Sequence, residues 1–109
     1  MHKLYQLAQT FHALADCPTG EDFDAETFAT WAGDRNMGSG GIWAALFVLS
    51  VWNDRRDWAG YGLGMRVRHL GGHQQDNGVG RFYMHDALGA WDRPHTAAFH
   101  AWTAKPWWC

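Results

Sequence analysis

Apolar residues near the start of the chain recur three or four positions apart, the spacing of one face of a helix. The residues that follow this pattern are Leu4, Leu7, Ala8, Phe11, Leu14 and Ala15. Pro18 and Gly20 come next, and both residue types end helices. The pattern therefore predicts a first helix that continues to about residue 15.

A second, shorter helix is expected to begin after Asp24, because an aspartate side chain can accept hydrogen bonds from the first turn of a helix. Phe28, Trp31 and Ala32 are expected to face inward on it. Gly33 is a residue type that commonly ends helices, and we expect it to end this one.

The third predicted helix covers residues 40–53, with Ser39 as its expected cap. Large apolar side chains occupy nearly every side of this helix. Helices of that kind lie in the interior of a domain, with other helices packed around them. This segment is therefore the predicted centre of the fold.

Helical spacing is lost over residues 54–80, where glycine is dense. Seven glycines between residues 60 and 80 disfavour any long helix, so a long loop is predicted there, in which residues 65–70 could form either a short strand or a turn of helix. Helical spacing returns at about residues 81–90. A last helix is expected after Asp92 as its cap, with Pro94 in its first turn, where proline is tolerated.

These elements predict an all-α fold: one domain over residues 1–109, built as a compact bundle of four or five helices around residues 40–53, with a long glycine-rich loop. The chain is 47% hydrophobic and 18% charged, which is typical of a domain with one core. Eight tryptophans are present, an unusual number for 109 residues. We expect four of them to be mostly buried, namely Trp43, Trp52, Trp91 and Trp102.

The net charge and the longest apolar run limit the classes of partner and the location that the protein can have. A net charge of -2 excludes a strongly cationic protein of the kind that coats nucleic acid or anionic lipid. The longest apolar run, residues 42–51, is too short for a membrane span of about 20 residues. We expect no membrane association and a location in a reducing cytoplasm, with Cys17 and Cys109 as free thiols.

Charge is also uneven along the chain. Residues 1–34 carry a net charge of -5, and residues 35–109 carry a net charge of +3. If the fold keeps these two parts of the surface separate, the surface is bipolar. Such a surface suits docking to a charged protein better than nonspecific binding to DNA.

Histidines offer the first candidate chemistry. His69, His73 and Asp76 have a spacing that could hold zinc on a helix, but two glycines between the histidines argue against that helix. His95 and His100 are five positions apart and should point in different directions, and we expect one of them to be interfacial or partly buried, with a hydrogen-bond partner. We therefore expect no metal and no cofactor.

Nucleophilic catalysis has no strong candidate in the sequence. Ser39 lies between glycines but fits a helix cap better than a nucleophile. Cys17 at a helix end lacks the environment that activates a thiolate. The expectation is therefore a protein that is not an enzyme.

The loop at 54–81 is the predicted binding surface, because long loops in small domains often carry function. Arginine, tryptophan and tyrosine are frequent in the energetically important parts of interfaces. The predicted partner-binding residues are Arg55, Arg56, Trp58, Tyr61, Arg66, Arg68, His69 and Arg81. The same aromatic and cationic side chains could also stack on unpaired bases, so direct nucleic-acid binding remains an alternative.

Four segments together resemble a group of small tryptophan-rich accessory proteins of phages, prophages and other mobile elements. These segments are residues 46–53, 87–92, 97–102 and 106–108. The glycine-rich stretch 59–80 looks like an insertion relative to that group, and Cys109 stands where a proline is expected. The resemblance supplies no catalytic residues.

The resemblance implies, by analogy with the anti-CRISPR and other anti-defence proteins of mobile elements, an inhibitor that covers the surface of a host protein. The expected partner is a defence complex that handles nucleic acid. The alternatives are a nucleic-acid-binding accessory protein and, less favoured, a small hydrolase or metal-dependent enzyme.

Overall fold

The computed structural model describes residues 2–35, 37–53, 56–58, 63 and 81–108. Over these residues the chain is all-helical, with five α-helices, one short 3-10 helix and no strand. The predicted all-α class is therefore confirmed for the described part of the chain. The expected glycine-rich loop lies almost entirely outside it.

The first helix is shorter than predicted. Helix α1 covers Lys3–Gln9, and a separate 3-10 helix covers His12–Leu14. After Gln9 the backbone N–H groups of Thr10 and Phe11 donate to carbonyls only three residues earlier, those of Leu7 and Ala8, which is the spacing of a 3-10 turn. Phe11 then adopts an extended backbone and is fully buried. The spacing of Phe11 predicted its burial correctly, but Phe11 lies beyond the end of α1.

Helix α2 covers Ala25–Asp34. The predicted cap is confirmed, because the carboxylate of Asp24 accepts a 3.1 Å hydrogen bond from the backbone N–H of Thr27. The prediction that Gly33 ends the helix is wrong. Gly33 lies buried inside the last turn, and the helix ends at the extended backbone of Arg35.

Helix α3 covers Ser39–Trp52 and is the apolar helix that the sequence predicted. Ten of its 14 residues are buried, and it contacts α1, α2, the 3-10 helix and the helix that follows it in the described chain. The prediction that Ser39 caps this helix is wrong. Gly38 occupies the cap position, and Ser39 is the first helical residue.

The last two described helices are α4, Met84–Ala90, and α5, Arg93–Ala104. Helix α4 begins three residues later than predicted. The predicted start of α5 is confirmed, because the carboxylate of Asp92 accepts a 3.0 Å hydrogen bond from the backbone N–H of His95 and Pro94 lies in the first turn. His95 and Phe99 are the buried residues of α5.

Phe47 on α3 lies at the centre of an aromatic core. Its ring centroid is 5.1–6.3 Å from the centroids of five other rings. These rings belong to Phe11, Phe82, Trp91, Phe99 and Trp102. The core therefore connects α3 with the residue before the 3-10 helix, the segments on either side of α4, and α5.

The four tryptophans that we expected to be buried divide into two pairs. Trp43 and Trp91 are buried, whereas Trp52 and Trp102 are half-buried at the edge of the core. The indole N–H of Trp91 donates to the carbonyl of Gly40 at 3.0 Å, which joins the start of α5 to the start of α3.

The residues after α5 turn back toward the start of the chain. The ammonium of Lys3 lies 4.3 Å from the ring centroid of Trp107, and the ring of Trp108 packs edge-on against Trp102 with most of its surface exposed. No helix in the described segments has the length and apolar character needed to cross a membrane.

Candidate functional site

A cleft of about 630 Å³ lies between the 3-10 helix, the first turn of α3 and the first turn of α5. Clefts of this size that bring polar groups together are the usual sites of ligand binding. The polar groups on its wall that lie nearest one another are the side chains of His12, Asp92 and His95.

The carboxylate of Asp92 joins the two histidines. Its Oδ2 lies 2.8 Å from Nε2 of His12, and its Oδ1 lies 2.8 Å from Nδ1 of His95. Oδ1 also accepts the backbone N–H of His95, the bond that caps α5. Both oxygens are therefore held in place by hydrogen bonds.

These hydrogen bonds keep Asp92 ionised. The backbone N–H of His95 contributes most and the side chain of His12 contributes next, and together they lower the pKa of the Asp92 carboxyl to about 2. A hydrogen bond to the charged form of a group favours that form. The centre of the cluster is therefore negative at neutral pH.

His95 is the buried member of the cluster, with 3% of its surface exposed, and its ring stacks on Phe11. Its Nε2 is buried and has no hydrogen-bond partner among the described residues. Burial lowers the pKa of His95, while its hydrogen bond with Asp92 opposes this effect. The neutral ring with its proton on Nδ1 fits this environment, because Nδ1 can donate to Asp92 and no N–H is then left without an acceptor.

His12 is the accessible member, because about half of its side chain is exposed. Its ring centroid lies 4.1 Å from that of His95. The cluster therefore combines one fixed, buried imidazole with one imidazole that a ligand can reach from the cleft.

The start of α3 lies close to this cluster at Gly40. A Cβ atom added at Gly40 would lie 3.4 Å from the carbonyl oxygen of Ala90 and 3.8 Å from Nδ1 of His95. Arg35 and Asp16 also line the cleft, with 3.7 Å between the guanidinium and the carboxylate. The cleft thus contains two carboxylates, one guanidinium and the positive end of the α3 dipole.

This cluster was not predicted from the sequence. The only metal site considered there was His69, His73 and Asp76, and these residues lie outside the described part of the chain. His12 is 80 positions before Asp92, so no local pattern relates them. The only sequence signal was the expectation that one histidine of α5 is partly buried and hydrogen-bonded, and His95 is that residue.

Three of the eight predicted partner-binding residues lie in the described part of the chain, and they differ in burial. Arg81 is exposed, Arg56 is half-buried and Trp58 is buried. The other five lie outside the described residues, namely Arg55, Tyr61, Arg66, Arg68 and His69.

The prediction that Trp58 contacts a partner does not agree with its burial, because only 1% of its surface is exposed and it belongs to the core. The guanidinium of Arg56 lies 4.5 Å from the ring centroid of Trp58 and donates a 3.0 Å hydrogen bond to Glu26 on α2. Tryptophan beside arginine therefore indicated a packed contact rather than a surface pair. Arg56 is already engaged within the protein.

Two apolar side chains lie exposed on α4, close in sequence to Arg81. Met84 is 54% exposed and Leu88 is 41% exposed. They are four positions apart and therefore lie on the same side of the helix. Ala87, between them in sequence, is the buried residue of α4. We refer to Arg81, Met84 and Leu88 as the α4 surface.

Comparison with protein-family models, with curated proteins and with solved structures gave no match to this chain.

Proposed function

We propose that this protein is a non-enzymatic binding protein of a phage or other mobile element, and that it inhibits a host defence complex by covering part of its surface. The observation that carries the proposal is the α4 surface, where Met84 and Leu88 are exposed and Arg81 is close in sequence. Methionine and arginine are enriched in protein interfaces, and exposed apolar side chains that lie together are typical of docking surfaces.

The α4 surface begins where the predicted 54–81 loop ends. Arg81 belongs to both, so the proposed interface consists of this surface together with the arginines of the loop. In this proposal the helices form a bundle around α3 that holds the loop and α4 at one surface. The engaged positions of Arg56 and Trp58 leave them a supporting role, in which they attach the start of the loop to α2.

The charge of this surface favours an acidic partner site. Residues 35–109 carry a net charge of +3, and four arginines besides the engaged Arg56 lie between residues 54 and 81. A partner that handles nucleic acid with carboxylate-bound metal ions would offer a complementary acidic face. Charge complementarity of this kind increases the association rate and determines orientation.

The test uses purified bacterial RNA-guided nuclease complexes and measures target-DNA cleavage as the protein is titrated in. We expect inhibition that is complete at about one protein per complex. The double variant Met84→Ser/Leu88→Ser should need at least about tenfold more protein, since loss of central interface side chains commonly costs more than 1 kcal/mol each. The matched control is Ala97→Ser/Ala101→Ser, which changes two exposed positions of α5.

Equal inhibition by the wild type and the α4 variant would reject the α4 surface as the interface. An absence of inhibition across the panel would reject the defence-complex assignment. Binding of oligonucleotide alone, with an affinity that falls steeply as salt rises, would instead support direct nucleic-acid binding.

A further inference from the structure

We infer that His12, Asp92 and His95 form a site for one zinc-class divalent ion, with an open coordination position that faces the cleft. The ligand atoms of the three side chains all lie within 4.8 Å of one another. Two imidazoles and one carboxylate are a ligand set that suits Zn²⁺ and similar transition metals. This inference is independent of the proposed docking surface on α4.

The positions of the ligands are close to those that a metal needs. Ligand atoms of a tetrahedral zinc site lie about 3.4 Å apart, given metal–ligand distances of about 2.1 Å. The two histidine nitrogens each lie 2.8 Å from an oxygen of the same carboxylate. The metal would replace these two hydrogen bonds, and the exposed ring of His12 can shift so that all three ligand atoms reach coordination distance.

Two of the three ligands are already oriented by the fold. Asp92 caps α5, and His95 is buried against Phe11. Since these contacts do not depend on the metal, little ordering of Asp92 or His95 is needed when the metal binds.

Three protein ligands leave one position of a tetrahedral ion for water or another donor. The three side chains lie on the wall of a cleft of about 630 Å³, so a donor atom can reach that position. The site therefore has the form of an open metal centre rather than that of a closed structural one.

One feature limits the affinity. When Nδ1 of His95 binds the metal, the ring proton moves to Nε2, which is buried and has no acceptor among the described residues. Histidine ligands usually donate this second N–H to a carboxylate or carbonyl, and loss of such a partner costs about 10–100-fold in metal affinity. We therefore expect weaker binding than in a structural zinc site.

The experiment measures Zn²⁺ affinity at neutral pH by competition with a chromophoric chelator. His12→Ala should weaken binding at this site by at least about tenfold, because one of three ligands is lost. His100→Ala is the matched control, since His100 is an exposed histidine of the same α5 helix outside the cluster, and it should bind like the wild type. Metal-free melting curves of both variants check that the fold is retained.

Co²⁺ gives a second readout that does not depend on affinity alone. The Co²⁺ complex of the wild type should broaden the NMR signals of Phe11, which stacks on His95. His12→Gln should lose this broadening at the same Co²⁺ concentration. Unchanged Zn²⁺ affinity in His12→Ala, or Phe11 signals that Co²⁺ leaves unaffected in the wild type, would overturn the inference.

Discussion

Gly41 lies directly against the side chain of Met37, so closely that a Cβ atom at position 41 would lie 2.6 Å from the Cβ of Met37 and 3.2 Å from that of Ala13. This close approach brings the start of α3 against the 3-10 helix and forms one wall of the cleft. Only glycine fits at this position without displacement of its neighbours.

Gly41→Ala should therefore destabilise the protein by about 1–3 kcal/mol, the usual cost of adding atoms to a packed interior. The matched control is Gly89→Ala on α4, where an added Cβ would meet nothing within 4 Å. Alanine is the better helix former, so this control should stabilise by up to about 1 kcal/mol. Urea denaturation measures both, and equal effects would contradict the packing at Gly41.

The aromatic core around Phe47 makes a second prediction. Phe47→Ala should lower the free energy of unfolding by about 3–5 kcal/mol, because the cavity would remove ring contacts with five neighbours. Met84→Ala, at a 54% exposed position of α4, should change it by less than about 0.5 kcal/mol. Thermal or urea unfolding of the two variants provides the comparison, and a small effect at Phe47 would place the core elsewhere.

The parts of the fold that the sequence predicted correctly depend on local signals. Asp24 and Asp92 each accept a bond from a backbone N–H three residues later, and this interaction needs only the residues of one turn. The apolar surface of α3 likewise requires no knowledge of what packs against it. Such features can be recognised from residue type and spacing.

The errors have a different cause. Phe11 follows helical spacing, yet α1 ends at Gln9, after which the backbone N–H groups donate to carbonyls only three residues earlier. Trp58 has the residue type of an interface, and only its burial in the folded protein shows that it belongs to the core. In both cases the residue type is compatible with two local structures: helix or extended backbone for Phe11, and surface or core for Trp58.

Local sequence signals predict parts of the candidate metal cluster but not the whole of it. Asp92 and His95 lie in one helical turn, but His12 reaches them only because the 3-10 helix packs beside the start of α5. That packing depends on Phe11, on the close approach at Gly41 and on the indole of Trp91. Such a site is a property of tertiary structure, and the spacing of histidines along the chain contains no trace of it.

Cys17 provides a third prediction, which concerns reactivity. Its side chain is buried, and burial raises the pKa of the thiol, with a smaller contribution in the same direction from Asp16. Because the thiolate is the reactive form, alkylation should be slow in the folded protein and fast in denaturant. The experiment uses a Cys109→Ser variant and mass spectrometry, and fast labelling of the folded protein would contradict the buried position of Cys17.

The cap of α2 gives the last prediction, which concerns pH. The backbone N–H of Thr27 donates to Asp24, and this bond lowers the pKa of the Asp24 carboxyl below its ordinary value of 3.8. The unfolded chain lacks the bond, so between the two pKa values it binds more protons than the folded protein does. The stability that the ionised cap provides should therefore be complete above pH 3.8 and should decrease as the pH falls through this window.

Asp24→Asn isolates this effect, because asparagine also caps helices but does not titrate. Other carboxyl groups change charge over the same pH range, so the informative quantity is the difference in unfolding free energy between wild type and variant. At neutral pH the ionised cap should make the wild type the more stable of the two. As the pH falls below 3.8 this advantage should shrink, since the protonated carboxyl is a weaker acceptor. Urea denaturation at a series of pH values measures the difference, and a difference that stays constant across the range would show that the Asp24 carboxylate does not stabilise α2 through its charge.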